Sequence, residues 1–178
     1  MRRRPLALLA VALISGIVAG TVASAKGRPD TLGARIPALP KLREVAHTCP
    51  IPTAYREAFT RAANESGLPL AMLVSVGQIE SQMTASARSG ADARGLLQVL
   101  PSTAAAMRLD VNRPDSNVLA GARYLSQLLR QFRSSDLALA AYNAGPTAVA
   151  AAGGAPTQET LEYVENVTSL WRELRGCR

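Results

Sequence analysis

The sequence predicts an all-α domain. Three observations carry this: apolar residues recur at steps of three and four beyond residue 49, no run alternates in strand fashion, and residues able to cap a helix precede several periodic segments. At 178 residues the chain has the usual size of one domain, so one core is expected. Hydrophobic residues make up 48% and charged residues 19%, which excludes a disordered chain; thirteen glycines without a triplet repeat exclude a collagen-like one.

The first element is read as an export signal. Met1 to Pro5 is basic, Leu6 to Ala23 is almost wholly apolar and uncharged, and Ala23-Ser24-Ala25 supplies small residues for cleavage before Lys26. The alternative is an uncleaved anchor, since Leu6 to Ala25 is long enough to span a bilayer. Gly16, Gly20 and the small-residue end weaken that alternative. Either way the following domain lies outside the cytosol, in the periplasm, the cell wall or the medium. Residues 26–48 form a linker in which Pro29, Gly33, Pro37 and Pro40 spoil any helix.

From Cys49 to Arg178 the text is helical. Thr53 can cap a segment over Ala54 to Ser66, whose Tyr55, Ala58, Phe59 and Ala62 share a face and which stops at Gly67. Pro69 suits the first turn of a second helix, Leu70 to Ser81, and Pro101 precedes a short one, Ser102 to Met107. Val118, Ala122, Leu125, Leu129 and Phe132 mark the clearest core-packing helix. Asp136 can cap Leu137 to Ala144, and Thr157 can cap a last helix to about Arg175 that carries Leu161, Val164, Val167 and Trp171.

Cys49 and Cys177, the two cysteines of the chain, bracket this region almost from end to end. In an oxidising compartment they are expected to pair. Closing so long a loop stabilises a fold by about 4 to 5 kcal/mol in the chain-entropy model, less any native strain. The other reading is two unrelated thiols. His47 is the sole histidine and no CxxC occurs, so neither a metal nor a cofactor is expected.

The formal charge is +7, of which Arg2, Arg3 and Arg4 supply three units and the rest of the chain +4. Spread rather than blocked, it suits an anionic surface such as a cell wall without demanding nucleic acid. Aromatics at 4% are too few for a base-stacking platform. Contact with a membrane would come only through an uncleaved first segment.

One residue stands out chemically. Leu73, Val76, Gly77 and Glu80 fall at i, i+3, i+4 and i+7, which puts the Glu80 carboxyl on the apolar face of its helix. Partial desolvation disfavours the ionised form and gives an acid still protonated near neutrality, able to donate to a leaving oxygen. Gly77, one turn earlier, leaves room for a substrate or loop backbone. The competing reading is an ordinary carboxylate at a helix end, pointing to water.

Downstream stand Glu80-Ser81-Gln82-Met83, Ala87, Ser89, Ala93, Gly95-Leu96-Leu97-Gln98-Val99 and Pro101-Ser102-Thr103-Ala104. A second block reads Ala140-Ala141-Tyr142-Asn143-Ala144-Gly145-Pro146, and a third Glu159-Thr160 with Tyr163-Val164. In order and spacing these resemble the soluble lytic transglycosylase family, lysozyme-like enzymes that cut bacterial peptidoglycan. The resemblance spans roughly residues 50–174 and makes 49–178 a catalytic domain of that type, a helical lysozyme-like fold with a cleft. An export signal followed by one such domain is similar to wall-opening enzymes of secretion and conjugation systems, which makes such an apparatus a candidate partner beside the glycan strands.

The resemblance implies that Glu80 is the single catalytic acid and base. Ser89 and Gln98 would line the cleft and bond sugar substituents, Tyr142 and Asn143 would shape it, and Glu159 and Tyr163 would hold the sugar or its peptide side. Plainer roles exist for several: a turn for Gly95, a helix start for Gln98, a core position for Tyr142, a helix-dipole partner for Glu159. The implied reaction breaks the β-1,4 bond between N-acetylmuramic acid and N-acetylglucosamine and closes a 1,6-anhydro ring. Two positions depart from the family pattern: Ala85, where Pro is frequent, and Asp92, where Gly is frequent. Asp92 puts a second carboxylate in the cleft loop. If it directs a water at roughly 6.5–9.5 Å from Glu80, the outcome is hydrolysis, as in a muramidase. A wall-binding module without turnover is the other alternative, which a buried acid argues against.

Overall fold

The computed structural model describes residues 47–178. The expected signal (1–25) and the expected linker (26–48), apart from its last two residues, lie outside the described residues. A 3-10 turn at Thr53–Tyr55 leads into α1 (Arg56–Ser66), α2 (Leu70–Ser81), α3 (Pro101–Ala106), α4 (Pro114–Phe132), α5 (Ser135–Ala144), α6 (Pro146–Ala152) and α7 (Gln158–Glu173). Among the described residues there is no strand, only isolated bridges from Arg94 to Arg88 and Val99. None of these helices is long and apolar enough to cross a membrane.

The centre of the domain is α2. Ala71 to Gly77 are buried without interruption, so this helix is apolar all round and needs neighbours on every side. A Cβ on Gly77 would lie 3.0 Å from Phe59 Cζ and 3.2 Å from Leu97 Cδ2. Gly77 therefore makes room for core side chains, of Phe59 from α1 and of Leu97 from the loop after α2, rather than for the substrate or loop backbone that its spacing suggested. Around α2 the core holds Phe59, Met72, Leu73, Leu96, Leu97, Leu125, Leu128 and Leu139, all under 2% exposed. Leu96 and Leu97 come from the loop, so burial of two leucines anchors that loop to the helices; each contributes about 1.5–3 kcal/mol.

Packing follows from the apolar faces. Helix α4 lies on α1 and α5, α7 lies on α2 and α5, and α6 closes on α5. The ends of α2 and α5 and the start of α7 thus meet, bringing together three segments that are far apart in sequence.

Helix starts differ in places from the sequence reading. Thr53 does not cap α1: it belongs to the 3-10 turn, and α1 begins at Arg56 without a side-chain cap. Ser134, not Asp136, caps α5 by accepting from the Leu137 N–H; Asp136 sits in the first turn, where the helix dipole favours it. Thr157 caps α7 as expected, accepting from the Thr160 N–H at 3.1 Å. Helix α6 was not foreseen, because its run of alanines carries no apolar period; Pro146 at its first turn was the available signal.

The expected disulfide is present between the buried Cys49 and Cys177, 128 residues apart. Beside it the Cys49 N–H donates to Arg178 O at 3.0 Å and the Arg178 N–H to His47 O at 3.1 Å.

Candidate active site

Glu80 occupies the last turn of α2, the turn that emerges from the core. Its carboxyl is half-buried, and burial lifts its pKa from 4.5 to about 7. Opposing that rise is the Tyr163 hydroxyl, which donates to Glu80 Oε1 at 2.7 Å. Tyr163 is on the buried face of α7 with Thr160, Val164 and Val167, so the packing of α7 on α2 presents its hydroxyl to the acid. With Oε1 occupied, Oε2 is the oxygen left for a transferable proton.

A cleft of 360 Å³ opens at this carboxyl. Its walls include Glu80, Ser89, Gln98, Tyr142, Asn143 and Glu159, six of the seven residues singled out as acid or sugar contacts. The seventh, Tyr163, is 8% exposed and spends its hydroxyl on Glu80, so it serves the acid rather than offering a free contact to a sugar. A second hollow of 240 Å³ shares Gln98, Leu100, Tyr142 and Asn143 with the first and runs on to Thr103 and Tyr124, whose ring tilts against Tyr142 at 5.4 Å between centroids.

The polar groups of the cleft are held by local bonds. Ser89 Oγ accepts from the Ala93 N–H at 3.1 Å and keeps its own hydrogen for donation. Gln98 sits at φ 43, in a turn rather than at a helix start, and its Nε2 donates to Gly95 O at 2.9 Å and Ala87 O at 3.2 Å. Asn143 Oδ1 accepts from Thr160 Oγ1 at 3.0 Å, which points its amide by way of α7. The Tyr142 hydroxyl donates to Leu97 O at 2.8 Å; burial, with the Glu80 charge adding, raises its pKa well above the usual phenol value. Tyr142 thus joins the cleft by its ring, while its hydroxyl is satisfied inside.

Asp92 does not supply the cleft with a second carboxylate. Ala91 and Ala93 on either side of it face the cavity, and its own oxygens turn outward to Arg88 and Arg94. Arg88 Nε donates to Oδ1 at 2.7 Å and Arg94 Nη2 to Oδ2 at 2.8 Å, and the bonds from Arg94 and Arg88 lower its pKa to about 2. So weak a base, engaged on both oxygens, is unsuited to activating water. Its φ of 64 is in the left-handed region, which explains why the related pattern favours glycine there; Asp is among the side chains that tolerate it.

Asn117 escaped the sequence reading, and Ser81, quoted there only within its motif, was given no role. Asn117 is wholly buried on α4, and Ser81 follows the acid; both bond the backbone of the Gly95-Leu96-Leu97 turn. A polar residue immediately before the apolar line that starts at Val118 was the available signal for Asn117.

Residues 57–163 match the family model described as the transglycosylase SLT domain. The soluble lytic murein transglycosylase of Salmonella typhimurium is 29% identical over 142 residues, which are 65% of this chain and 22% of that protein. An inactive Glu-to-Gln variant of the lytic transglycosylase Slt from Pseudomonas aeruginosa superposes with a TM-score of 0.61 at 31% identity, over 72% of this chain and 25% of that one. The 70 kDa soluble lytic transglycosylase of Escherichia coli gives 0.60 at 26% identity, over 71% and 25%. The chain therefore spans about a quarter of the length of these relatives. Within that quarter, the match takes in α1, α2, the cleft loop and the start of α7 through Tyr163, and the chain belongs to the transglycosylase SLT domain family.

Proposed function

We propose that this chain is a peptidoglycan lytic transglycosylase that cleaves the β-1,4 bond between N-acetylmuramic acid and N-acetylglucosamine and leaves a 1,6-anhydromuramyl end. The observation that carries the reading is Glu80: an acid with pKa about 7, hydrogen-bonded on one oxygen and opening on a polar cleft. A group titrating near the working pH can give a proton and take one back in the same turnover.

In the proposed reaction the proton of Glu80 passes to the glycosidic oxygen as the bond from that oxygen to the muramyl C1 breaks. The 2-acetamido group of the substrate shields the positive charge growing at C1. The C6 hydroxyl oxygen then bonds to C1 and its proton returns to Glu80. Atoms balance without water and without a protein nucleophile. Tyr163 steadies the ionised intermediate state of the acid, Ser89 and Asn143 offer donors to sugar substituents, and Glu159 marks the rim at the α7 N-terminus. The outward turn of Asp92 supports this outcome over hydrolysis.

Mass spectrometry of digested peptidoglycan tests it: anhydromuramyl ends are expected from the parent chain, and Glu80→Gln should lose turnover while still binding glycan. Reducing ends alone refute the lytic outcome, and an active Glu80→Gln refutes the acid. Export to the wall compartment is part of the proposal, supported by Arg2 to Arg4, the apolar run to Ala23 and the small-residue site after it. Local opening of the wall for a secretion or conjugation apparatus is the use we propose; it rests on the resemblance to such enzymes.

A further inference from the structure

The loop between α2 and α3 forms one wall of the cleft through Ser89, Gln98 and Leu100, yet has almost no regular structure of its own. Backbone bonds within it, such as Gly95 N–H to Ala87 O at 2.9 Å and the reciprocal pair of Arg94 and Val99 at 3.0 Å, are completed by side chains from three helices. Asn117, from α4 and 0% exposed, accepts from the Leu97 N–H at 2.9 Å and donates to Arg94 O at 2.7 Å and Val111 O at 3.2 Å, which uses both amide hydrogens and the carbonyl. Ser81, at the end of α2, donates to Leu96 O at 2.8 Å, and Tyr142 of α5 caps Leu97 O. The fit around Asn117 leaves no slack: a Cβ on Gly95 would stand 2.7 Å from Asn117 Nδ2, and Gly95 has φ +74.

We propose that Asn117 and Ser81 are positioning residues for the reaction: they fix the backbone of residues 94–97 so that Gln98 and Leu100 close the cleft beside Glu80. The two act through the turn and touch no substrate. Neither lines the cleft, and both reach the loop from a rigid helix, Ser81 from the residue next to the acid itself. Removing Asn117 leaves the buried Leu97 N–H and Val111 O without partners, while Arg94 O keeps only the Val99 N–H at 3.0 Å, and the orphaned groups must seek water. A turn that moves toward water both misplaces Gln98 and wets Glu80.

The inference rests on Glu80 being the acid and base, and the experiment separates the two. Parent, Glu80→Gln, Asn117→Ala and Ser81→Ala are compared on soluble glycan strands for kcat, KM, the pH at which activity falls on the alkaline side, and folded fraction by circular dichroism. Asn117→Ala should lower kcat per folded molecule by about 10- to 100-fold, the range set by small misplacements of reacting groups. Its alkaline limb should also move to lower pH as water relieves the desolvation of Glu80. Ser81→Ala should do the same to a smaller extent, about three- to tenfold. A purely structural role would reduce the folded fraction and leave both kcat per folded molecule and the limb in place. That result for Asn117→Ala overturns the proposal; if that variant does not fold, an unmoved limb and kcat in Ser81→Ala overturns it equally. An inactive parent or an active Glu80→Gln instead defeats the assignment of Glu80, whatever the other two variants do.

Discussion

Glu80→Gln should stabilise the domain above neutrality and leave it unchanged in acid. Burial raises the Glu80 pKa from 4.5 to about 7, so between those values the unfolded chain releases a proton that the folded one keeps. Stability carried by the protonated carboxyl is therefore complete below pH 4.5, declines as pH rises through this window, and is fully lost above about 7. At 1.36 kcal/mol per pH unit the loss totals about 3 kcal/mol. Glutamine has the same shape, still accepts from Tyr163 and cannot ionise. For a domain of this size 3 kcal/mol corresponds to about 10 °C in melting temperature. Thermal unfolding of the two proteins from pH 4 to pH 9 reads the effect as a gap that opens with pH. A gap constant across the range, or a variant less stable at pH 8 than at pH 4 relative to its parent, would show that Glu80 is not desolvated in the fold. The measurement needs no substrate, so it probes the environment of the acid independently of catalysis.

Tyr163→Phe removes the one hydrogen bond that favours ionised Glu80, so the alkaline limb of kcat/KM should move up by about one pH unit; an unmoved limb counts against the bond. Asp92→Asn should keep the anhydromuramyl product and turnover within about threefold, because the side chain faces Arg88 and Arg94; loss of product would return Asp92 to the chemistry. Replacing Cys49 and Cys177 by Ser, or adding reductant, should lower stability by up to about 4 kcal/mol in denaturant titration, and an unchanged midpoint would mean the cross-link contributes nothing. Gly121→Ala should cost about 1–3 kcal/mol, since its Cβ would lie 2.5 Å from Leu97 Cδ1 and 2.8 Å from the Tyr142 hydroxyl oxygen; an equally stable variant would show that the loop yields easily.

The place of Glu80 beside the core was legible in sequence because helix periodicity sets which face it shares with Leu73 and Val76, whereas its proposed role as acid came from the motif spacing. Its cleft partners Ser89, Gln98, Tyr142, Asn143 and Glu159 were legible only through motif spacing, since nothing local says that the ends of α2 and α5 meet the start of α7. The cap of α5 was misread by two residues: Ser134 and Asp136 are both good caps, and the choice depends on backbone angles that composition does not carry. Asn117 was invisible as a site residue because its partners lie 20 and 23 residues away in a loop without periodicity. Asp92 was misplaced for a related reason. A carboxylate in a cleft loop can face in or out, and two arginines two and four residues away decided the direction.

Because Arg178 is bonded through its backbone to both His47 and Cys49, residues 47 and 178 lie at a single spot on the domain. From there α7 alone carries ten residues between Tyr163 and Glu173, about 15 Å of helix at 1.5 Å per residue. A reporter or tether joined at residue 47 or at residue 178 would consequently attach on the same side of the domain, away from the groove. A few residues bridging 47 and 178 would also allow new termini to be opened at Gly153 and Gly154, where an added Cβ would meet no neighbouring atom within 4 Å, giving a permuted domain whose cross-link closes a different loop.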